Sequence, residues 1–530
     1  MLDVRSALRR SAGFHRDRVA VISEGTELTY AEAWARGVRF ANALISLGAV
    51  PGDRVAVLED NCLASADFFL GTAIANVVRV PLYKRNSRRA HTHMLRQTGC
   101  RILVTAHESI AEVDGLAHEL PDLEHLIIRD DGYETWLSTF SDVDPDPAVH
   151  PDDFHVIRHS AGTTGLSKGI AFSHRAWMNI ERNWTFLLPP IELGDHSVHV
   201  APISHGSGYL FLPTWLAGGC NVLEPRFNGP RLLDLLSHYG GYTFGVPTMV
   251  SDLVSSAGTA PDLERLKAFV VSGAPIHGPT ALAARDLLGP KLYQLYGQTE
   301  CTPAAFMGPT EWFDDVVGSE PLRACGRVMP YAELEIRDEA NQPLLPGESG
   351  EIALRSDGQM VCIWGEPEMT AERLVDGWVL TGDIGKLDAN GYLYLQDRKD
   401  DLIISGGYNI WPAELETAIV GMSGVRECAV FGVPHDTWGE TPMALVVRDP
   451  GATLSESDVV ERCVVELGSY KKPTVVTLLD EPIERTPLGK ISRKALREPF
   501  WAVHDGGDPS PAASRSTVVN ASVDGGLGLC

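Results

Sequence analysis

Short apolar runs alternate with helix-like stretches along roughly the first 395 residues of the chain. The runs are rich in valine and isoleucine and alternate little between polar and apolar residues, which is typical of strands buried on both faces of a sheet. We expect strands at residues 54–58, 101–105, 154–158, 197–201, 268–272 and 291–295, with helices at residues 62–75, 174–185 and 279–288. Strand, helix and strand in succession predict an α/β fold with largely parallel, stacked sheets.

A second, smaller unit is predicted after the charged run Asp397–Asp401. Its pattern indicates helices at residues 412–420 and 456–466 and strands near residues 428–433 and 443–447, which is an α+β arrangement. We therefore expect an N-terminal domain over residues 1–397 and a C-terminal domain over residues 398–505. The remainder, residues 506–530, is rich in glycine, serine, aspartate and alanine and is expected to be a disordered tail.

Charge and cysteine content exclude several classes of function. The net charge of −25 repels nucleic acid and anionic lipid, so neither is an expected partner. No apolar stretch approaches the roughly 20 residues of a membrane-spanning helix, and no apolar run resembling a secretory signal follows the N-terminus. The nine cysteines form no C-x-x-C pair and do not cluster with histidines, which indicates reduced thiols in a cytoplasmic protein.

The segment Ser160–Gly169, SAGTTGLSKG, follows one predicted strand and precedes a predicted helix. Its glycines allow backbone N–H groups to turn toward an anion, its hydroxyl groups add donors, and Lys168 adds positive charge. These are the parts of a phosphate-binding loop. It is not a Walker loop, because Ser167 stands where that pattern needs glycine. An ordinary turn rich in glycine, serine and threonine is the alternative.

The segment Tyr296–Glu300, YGQTE, comes directly after a predicted strand. The end of a strand in an α/β sheet is where such folds place their ligands. An aromatic ring can stack on a base, a threonine can donate to phosphate, and a carboxylate can hold Mg²⁺. A Tyr-Gly turn followed by a solvated glutamate is the alternative.

The segment Thr381–Asp383, TGD, is followed by Asp397 and Arg398. An aspartate beside a glycine can accept hydrogen bonds from both hydroxyls of a ribose. A turn aspartate without a ligand is the alternative.

The segment Pro487–Ile491, PLGKI, lies near the end of the predicted folded chain. Lys490 on a loop of proline and glycine could reach into a distant site. A plain exposed lysine is the alternative.

The order and spacing of these segments decide between the alternatives. The chain resembles the adenylate-forming superfamily of acyl-CoA synthetases, nonribosomal-peptide adenylation domains and beetle luciferases over roughly residues 15–500. Further segments that carry the resemblance are Pro202–Gly206, Val271–Pro275, Gly347–Ile352, Ser405–Asn409, Pro412–Glu416 and Val433–Glu440.

The resemblance implies a two-step reaction in a cleft between a large N-terminal domain and a small, mobile C-terminal domain. A carboxylate attacks the α-phosphate of ATP, which gives acyl-AMP and pyrophosphate. The C-terminal domain then rotates, and the thiol of coenzyme A (CoA) displaces AMP. The implied partners are a small carboxylic acid, ATP and CoA, and the implied cofactor is Mg²⁺.

The resemblance also assigns roles to residues. Lys490 is expected to contact the carboxylate and the α-phosphate, Glu300 and Thr163 to hold Mg²⁺, and His205 to orient the acyl carboxylate. Asp400 is the expected hinge, and Ser405, Gly406 and Gly407 line the expected CoA tunnel. The expected ATP- and AMP-binding residues are Ser160, Gly162, Thr163, Thr164, Gly165, Lys168, Ser272, Gly273, Ala274, Pro275, Tyr296, Gly297, Gln298, Thr299, Asp383 and Arg398. The expected acyl pocket consists of His205, Tyr209, Leu210, Phe211, Phe244, Met249 and Phe306, which suits an apolar or aromatic acid.

Two departures from the family pattern lie in the phosphate loop. Ala161 replaces the usual serine, which removes a hydroxyl donor, and Ser167 replaces the usual proline before Lys168. By resemblance, both residues belong to the loop that contacts the departing pyrophosphate. A partial enzyme specialised for the thiol step therefore stays open. Other open alternatives are an adenylation enzyme that loads a carrier protein and a non-catalytic binder of acyl-AMP or CoA. A monomer and a homodimer are both open.

Overall fold

The computed structural model describes residues 3–504 except 59, 83, 85, 161–166, 257–261, 277, 399–400, 406–407, 436–437, 470 and 487–489. The expected tail at residues 506–530 therefore lies outside the described residues. The chain divides into two compact units, with the larger ending at Leu395 and the smaller beginning at Gln396. The functional division at residues 397 and 398 stays a prediction. No helix among the described residues has the length and apolarity that crossing a membrane requires.

The helices, numbered in chain order, have the following bounds: α1 Val4–Phe14, α2 Tyr30–Ser46, α3 Leu63–Ile74, α4 Arg88–Thr98, α5 Ile110–Val113, α6 Leu116–Glu119, α7 Tyr133–Ser138, α8 His174–Phe186, α9 Phe211–Leu216, α10 Gly229–Tyr239, α11 Pro247–Ser256, α12 Gly278–Leu288, α13 Pro309–Trp312, α14 Pro367–Arg373, α15 Pro412–Val420, α16 Glu456–Leu467 and α17 Arg493–His504. Short 3₁₀ helices lie at His107–Ser109, Gly206–Leu210 and Pro321–Arg323.

The strands have the following bounds: β1 Val19–Ser23, β2 Thr26–Thr29, β3 Arg54–Leu58, β4 Val78–Leu82, β5 Ile102–Ala106, β6 His125–Arg129, β7 Phe154–Ser160, β8 Lys168–Ser173, β9 His196–His199, β10 Cys220–Leu223, β11 Gly241–Gly245, β12 Leu266–Val271, β13 Leu292–Gln298, β14 Cys301–Met307, β15 Arg327–Val328, β16 Ala332–Arg337, β17 Gly350–Ser356, β18 Cys362–Ile363, β19 Leu374–Val375, β20 Trp378–Leu387, β21 Leu393–Arg398, β22 Ile403–Ser405, β23 Tyr408–Ile410, β24 Val425–His435, β25 Gly439–Arg448 and β26 Val475–Leu479.

The larger unit contains a nine-stranded sheet, a seven-stranded sheet and a five-stranded sheet. The nine-stranded order is β15-β14-β13-β12-β11-β9-β10-β1-β2, and the seven-stranded order is β18-β8-β7-β4-β3-β5-β6. Strands β1 and β9 to β13 pair in parallel, as do β3 to β7, and antiparallel strands lie at the edges. The predicted α/β fold with largely parallel sheets is therefore confirmed.

Helix α3 packs between the two largest sheets, because it contacts β1 of the nine-stranded sheet and β4 of the seven-stranded sheet. All of its residues from Ala64 to Ile74 are buried. It meets α2 through two glycines. A Cβ on Gly37 would lie 2.7 Å from Leu70 Cβ, and a Cβ on Gly71 would lie 2.8 Å from the carbonyl oxygen of Gly37. Only glycine permits so close an approach of the two helices, so the stacking of the sheets depends on these positions.

The smaller unit is built on a sheet of order β23-β22-β25-β24, with β26 paired in parallel to β25. Helices α15 and α16 contact each other, and their apolar residues form one buried cluster with those of the sheet. The predicted helix at residues 412–420 is confirmed in both bounds, and the second predicted helix extends one residue further, to Leu467. The expected α+β architecture of the C-terminal part is confirmed.

The cysteines also match the expectation of reduced thiols. All eight cysteines that the structure describes are free, and six of them are buried. Burial raises the pKa of Cys100 and Cys220 to about 12. These thiols are therefore neutral packing groups and not reactive thiolates.

Candidate active site

Asp383 lies in a bulge of strand β20. Three residues, 381 to 383, stand opposite the single Ile352 of strand β17. Gly382 has a φ of +71°, which lies in the left-handed region that favours glycine. The bulge is fixed by Thr381 Oγ1, which donates to the Ile352 carbonyl at 2.7 Å, and by the Gly382 N–H, which donates to the Glu351 carboxylate at 2.8 Å. The segment therefore belongs to strand β20 and not to a separate turn, and the role of Asp383 in ligand binding stays a prediction.

Two donors from strand β13 orient the Asp383 carboxylate. Tyr296 Oη donates to Asp383 Oδ2 at 2.8 Å, and Gln298 Nε2 donates to the same oxygen at 2.6 Å. Burial and the nearby carboxylate raise the pKa of the Tyr296 hydroxyl well above its usual value, so Tyr296 stays a neutral donor. Gly297 lies between them, and a Cβ there would approach Thr302 Oγ1 to 2.8 Å. Strand β13 therefore holds a buried carboxylate in one orientation.

Glu300 lies in the turn of a hairpin. The sequence predicted Tyr296–Glu300 as a loop, which is wrong for its first three residues, because these belong to strand β13. Gln298 pairs with Cys301 of β14, so only Thr299 and Glu300 form the connection. The Glu300 carbonyl accepts a hydrogen bond from the Met360 N–H at 2.7 Å. The hairpin thus fixes the backbone of Glu300 relative to Tyr296 and Gln298, which hold Asp383.

The ends of the predicted phosphate loop face each other across an antiparallel ladder. Ser160 of β7 pairs with Lys168 of β8. The helix predicted at residues 174–185 is α8, but strand β8, which the sequence did not predict, lies between the loop and that helix. Gly162, Thr163, Thr164 and Gly165 lie outside the described residues, as does Ala161.

Helix α4 anchors the second end of this loop. His93 Nε2 lies 2.9 Å from the carbonyl oxygen of Ser167, and Gln97 Oε1 accepts from the Gly169 N–H at 3.1 Å. Ser167 Oγ donates to the Ser160 carbonyl, so the hydroxyl that replaces the family's proline closes the loop. Sequence reasoning did not identify His93 or Gln97, since nothing near them in the chain indicates a phosphate site.

Residues Ser272–Pro275 directly follow strand β12, which pairs in parallel with β13. The carboxyl ends of neighbouring parallel strands meet at one edge of a sheet, which is where α/β folds bind ligands. The Ser272 N–H donates to the Gly245 carbonyl at 3.3 Å, and Gly273 has a φ of +92°. The strand order therefore brings Ser272–Pro275, which are expected to bind AMP, to the same edge of the sheet as Tyr296.

The predicted acyl-pocket residues belong to one core cluster. It contains Tyr209, Leu210, Phe211, Phe244 and Phe306, and Met249 packs against it. A Cβ on Gly206 would lie 2.3 Å from Phe244 Cζ, so the segment around His205 presses directly on that ring. His205 Nδ1 lies 2.9 Å from Ser204 Oγ.

The smaller unit carries the remaining predicted residues. The Lys490 N–H donates to Thr486 Oγ1 at 3.1 Å, and its carbonyl accepts from the Thr486 N–H at 2.7 Å. Ser405 is buried and pairs with Tyr408 in the ladder between β22 and β23. Arg398 is the last residue of strand β21. The expected hinge Asp400 and the expected tunnel residues Gly406 and Gly407 lie outside the described residues.

A family model for AMP-binding enzymes matches residues 8–364, and a model for the C-terminal domain of AMP-binding enzymes matches residues 414–490. The chain is an AMP-binding enzyme. The predicted resemblance to the adenylate-forming superfamily is thereby confirmed.

Similar proteins match this AMP-binding enzyme over nearly all of its length. It is 32% identical to fatty acid–[acyl-carrier-protein] ligase ScoC of Streptomyces coeruleorubidus, over 91% of this chain and 93% of that protein. It is 33% identical to a feruloyl-CoA synthase of an Amycolatopsis species, over 93% of this chain and 98% of that protein. The crystal structure of ATP-bound MatB from Rhodopseudomonas palustris superimposes with a TM-score of 0.86 at 27% identity, covering 95% of this chain and all of that one.

Most of the predicted nucleotide-binding residues of this AMP-binding enzyme lie on the larger unit. Its sheet ends and bulge bring together Tyr296, Gln298 and Asp383, and the adjacent hairpin turn adds Thr299 and Glu300. Sequence reasoning did not identify three buried side chains of the acyl region, Arg158, Trp177 and Trp184. No local motif distinguishes them from ordinary core residues.

Proposed function

We propose that this AMP-binding enzyme is an ATP-dependent acyl-CoA ligase. It activates an apolar or aromatic carboxylic acid as acyl-AMP, with release of pyrophosphate, and then transfers the acyl group to the thiol of CoA. The observation that supports this best is the buried Asp383 carboxylate, which Tyr296 and Gln298 hold in one orientation next to the hairpin turn that carries Glu300. Such a carboxylate suits the two hydroxyls of a ribose.

In the first step, a carboxylate oxygen of the acid attacks the α-phosphorus of ATP. The bond from that phosphorus to the bridging oxygen breaks, and pyrophosphate leaves with the bonding electrons. Two anions must approach each other, so positive charge and fixed geometry lower the barrier most. We assign Lys490 to the carboxylate and the α-phosphate, Lys168 and Ser160 to the phosphates, and Thr299 to the α-phosphate.

Glu300 fits a magnesium ligand. Mg²⁺ is commonly held by one or two carboxylates together with phosphate oxygens of the substrate, without a full protein cage. Within the described residues no group of three or more histidine, cysteine, aspartate or glutamate side chains could hold a metal ion. A single carboxylate in a hairpin turn matches a magnesium site in which the protein supplies few ligands and the substrate phosphates supply others. Bound there with Thr163, the ion would neutralise charge on the phosphate oxygens.

In the second step, the sulfur of CoA attacks the acyl carbon of the mixed anhydride. The bond from that carbon to the AMP oxygen breaks, and AMP leaves. A free thiol has a pKa of about 8.5, so a modest thiolate fraction exists at neutral pH without a strong base. His205 therefore orients the acyl carboxylate and does not need to act as a general base. Ser405, Gly406 and Gly407 are the proposed lining of the tunnel for the thiol arm, and Asp400 is the proposed hinge.

A carrier-protein thiol is the second candidate acceptor. The relative ScoC is named as a fatty acid–[acyl-carrier-protein] ligase, and it matches nearly the whole chain. The phosphopantetheine arm of a carrier protein ends in the same thiol as CoA, so both acceptors require the same chemistry at the acyl carbon.

Acid-dependent release of AMP from ATP, measured with the full chain and a panel of carboxylic acids, tests the proposal. We expect release with apolar or aromatic acids, accompanied by acyl-CoA detected by mass spectrometry. Parallel reactions with a phosphopantetheinylated acyl carrier protein in place of CoA identify the preferred acceptor. An Asp383→Asn variant serves as the matched control for ribose binding. If no acid stimulates AMP or pyrophosphate release in the wild type, the ligase assignment is wrong.

A further inference from the structure

Three charged side chains are buried beside the predicted acyl pocket without forming ion pairs. Arg79 is 5% exposed, Arg158 is 6% exposed and Glu181 is 2% exposed. Within the part of the chain that the structure describes, neither guanidinium has a carboxylate within 4.0 Å. Arg79 Nε, Arg158 Nη1 and both carboxyl oxygens of Glu181 have no hydrogen-bond partner among the described atoms.

Arg158 and Glu181 lie beside an aromatic stack. Trp177 and Trp184 lie seven residues apart on α8, which places them about 10.5 Å apart along one face of the helix. The Tyr209 ring stacks between the two indoles, with centroid distances of 5.5 Å and 4.8 Å. Glu181 follows Trp177 by one helical turn, so it lies on the same face. The guanidinium carbon of Arg158 lies 4.4 Å from the centroid of the Tyr209 ring.

Arg158 links this stack to the proposed reaction centre. Its Nη2 donates to the Ser204 carbonyl at 3.0 Å, and Ser204 immediately precedes His205. Arg158 also lies on β7, two residues before Ser160 at the start of the phosphate loop. The buried charges therefore lie where the segment proposed to orient the acid meets the strand that leads into the phosphate loop.

The electrostatics of the set favour an oxygen acceptor as the missing partner. Burial raises the pKa of Glu181 well above its usual value, while the neighbouring Arg158, Arg79 and Trp177 act in the opposite direction. Burial and the nearby Arg158 lower the pKa of Arg79 to about 9, and Glu181 opposes this shift. Two guanidinium groups beside one carboxyl group leave the set with excess positive charge and with more hydrogen-bond donors than acceptors. A buried charge without a partner costs free energy. A pocket that binds only a hydrocarbon chain would gain nothing from such a charge.

We propose that Arg158 and Glu181 form a polar subsite of the acyl pocket that binds an oxygen acceptor on the acyl part of the substrate. The substrate class is then an aromatic or apolar acid that carries a second oxygen function, such as a carboxylate, a phenolic oxygen or a carbonyl. This inference rests on the proposed ligase function and refines its choice of acid. Arg79 supplies further positive charge behind the subsite, with its guanidinium carbon 3.7 Å from the Phe69 ring centroid.

Three matched acids test the subsite: 3-phenylpropanoic acid, 3-(4-hydroxyphenyl)propanoic acid and 3-(4-carboxyphenyl)propanoic acid. For the wild type we expect at least one oxygenated acid to exceed phenylpropanoic acid in kcat/KM for AMP release by about ten- to a hundredfold, the effect of one hydrogen bond to a charged group. The two oxygenated acids distinguish an anionic from a neutral acceptor. Equal kcat/KM for all three acids refutes the subsite.

Arg158→Met and Glu181→Met are the test variants, and Arg182→Met is the matched control. Arg182 is exposed on the same helix, with its guanidinium 4.2 Å from the Tyr331 ring, away from the Tyr209 stack. We expect Arg158→Met to bring the ratio of kcat/KM for the oxygenated acid to that for the plain acid near one, whereas Arg182→Met should keep the wild-type ratio. Glu181→Met removes the polar carboxyl group but keeps a side chain of similar size, and it keeps the test valid if Arg158→Met fails to fold. An unchanged ratio in a folded test variant overturns the proposal.

Equilibrium dialysis of the same acids without ATP separates this inference from the ligase proposal. Preferential binding of an oxygenated acid, lost in Glu181→Met, supports the subsite even if AMP is never released. AMP release without any such preference leaves the ligase function standing and refutes the subsite. Failure of the wild type to bind either oxygenated acid more tightly than phenylpropanoic acid also refutes it.

Discussion

Replacing Gly382 by alanine tests whether the bulge in β20 positions Asp383. The residue has a φ of +71°, and a left-handed conformation costs an L-residue about 1–2 kcal/mol. The new Cβ would also lie 3.0 Å from Arg373 Nη1, which donates to the Leu380 carbonyl at 2.9 Å. Displacing that flexible group loses a hydrogen bond of about 0.5–1.5 kcal/mol. We therefore expect a total destabilisation of about 1.5–3.5 kcal/mol.

Gly391→Ala is the matched control for backbone strain. Gly391 has a φ of +81°, and a Cβ there would meet no atom within 4 Å. This control should lose only the strain energy, about 1–2 kcal/mol. In a unit of nearly 400 residues, 1 kcal/mol corresponds to a shift of roughly 1 °C in Tm, because the entropy of unfolding grows with chain length. Differential scanning calorimetry should resolve both variants from the wild type.

The two variants should differ far more in ATP use than in Tm. If Asp383 accepts the ribose hydroxyls, moving its backbone weakens hydrogen bonds to a charged group, worth about 1.5–3 kcal/mol. That predicts a KM for ATP about ten- to a hundredfold higher in Gly382→Ala, measured by acid-dependent pyrophosphate release, with Gly391→Ala close to wild type. Equal KM values for ATP in the two folded variants would show that the bulge does not position a ribose ligand.

Three further predictions address other parts of the site. Tyr296→Phe removes the 2.8 Å hydrogen bond to Asp383 but keeps the ring, so we expect the KM for ATP to rise about tenfold in the same pyrophosphate assay; an unchanged KM would contradict the orienting role. Lys490→Ala should cripple formation of acyl-AMP while sparing thioester formation from supplied acyl-AMP, because its charge is needed only while two anions approach. A variant that adenylates at near wild-type rate would refute that role. The double change Ala161→Ser with Ser167→Pro should raise the rate of acyl-AMP formation relative to the thiol step by up to about ten- to a hundredfold, because it restores the family's donor to the departing pyrophosphate. Separate rate measurements of the two half-reactions test this, and an unchanged ratio would show that the other donors of the loop suffice.

The sequence predicted helices and buried strands well because their signals are local. The apolar run at residues 54–58 became β3 with the same bounds, and α8 was predicted to within one residue of its end. Strand β8 was missed because it continues directly from the phosphate loop. Its strand character comes from pairing with β7, which no neighbouring residue specifies.

The backbone conformation and the burial of the candidate site residues also depend on tertiary structure. The segment Thr381–Asp383 has the composition of a turn, and its conformation as a bulge is imposed by β17. Motif order identified Tyr296 and Asp383 as candidates, but not that one donates a hydrogen bond to the other. The charges of Arg158 and Glu181 would normally indicate a solvated surface. Both side chains are nevertheless buried in the folded chain, where α8 contacts the 3₁₀ helix that follows His205.

The β13–β14 hairpin carries Tyr296 and Glu300, whereas α8 and the segment after His205 carry side chains proposed to contact the acid. Tyr296 and Glu300 are joined through one covalent turn, and the ladder hydrogen bonds keep their separation constant. If Tyr296 lies at the nucleotide and Glu300 holds Mg²⁺, as proposed, a shift of this hairpin would disturb both contacts together. The side chains of α8 and of the segment after His205 lie outside this ladder. Under the proposed function, exchanging these side chains would change the choice of acid while leaving the backbone of this hairpin in place.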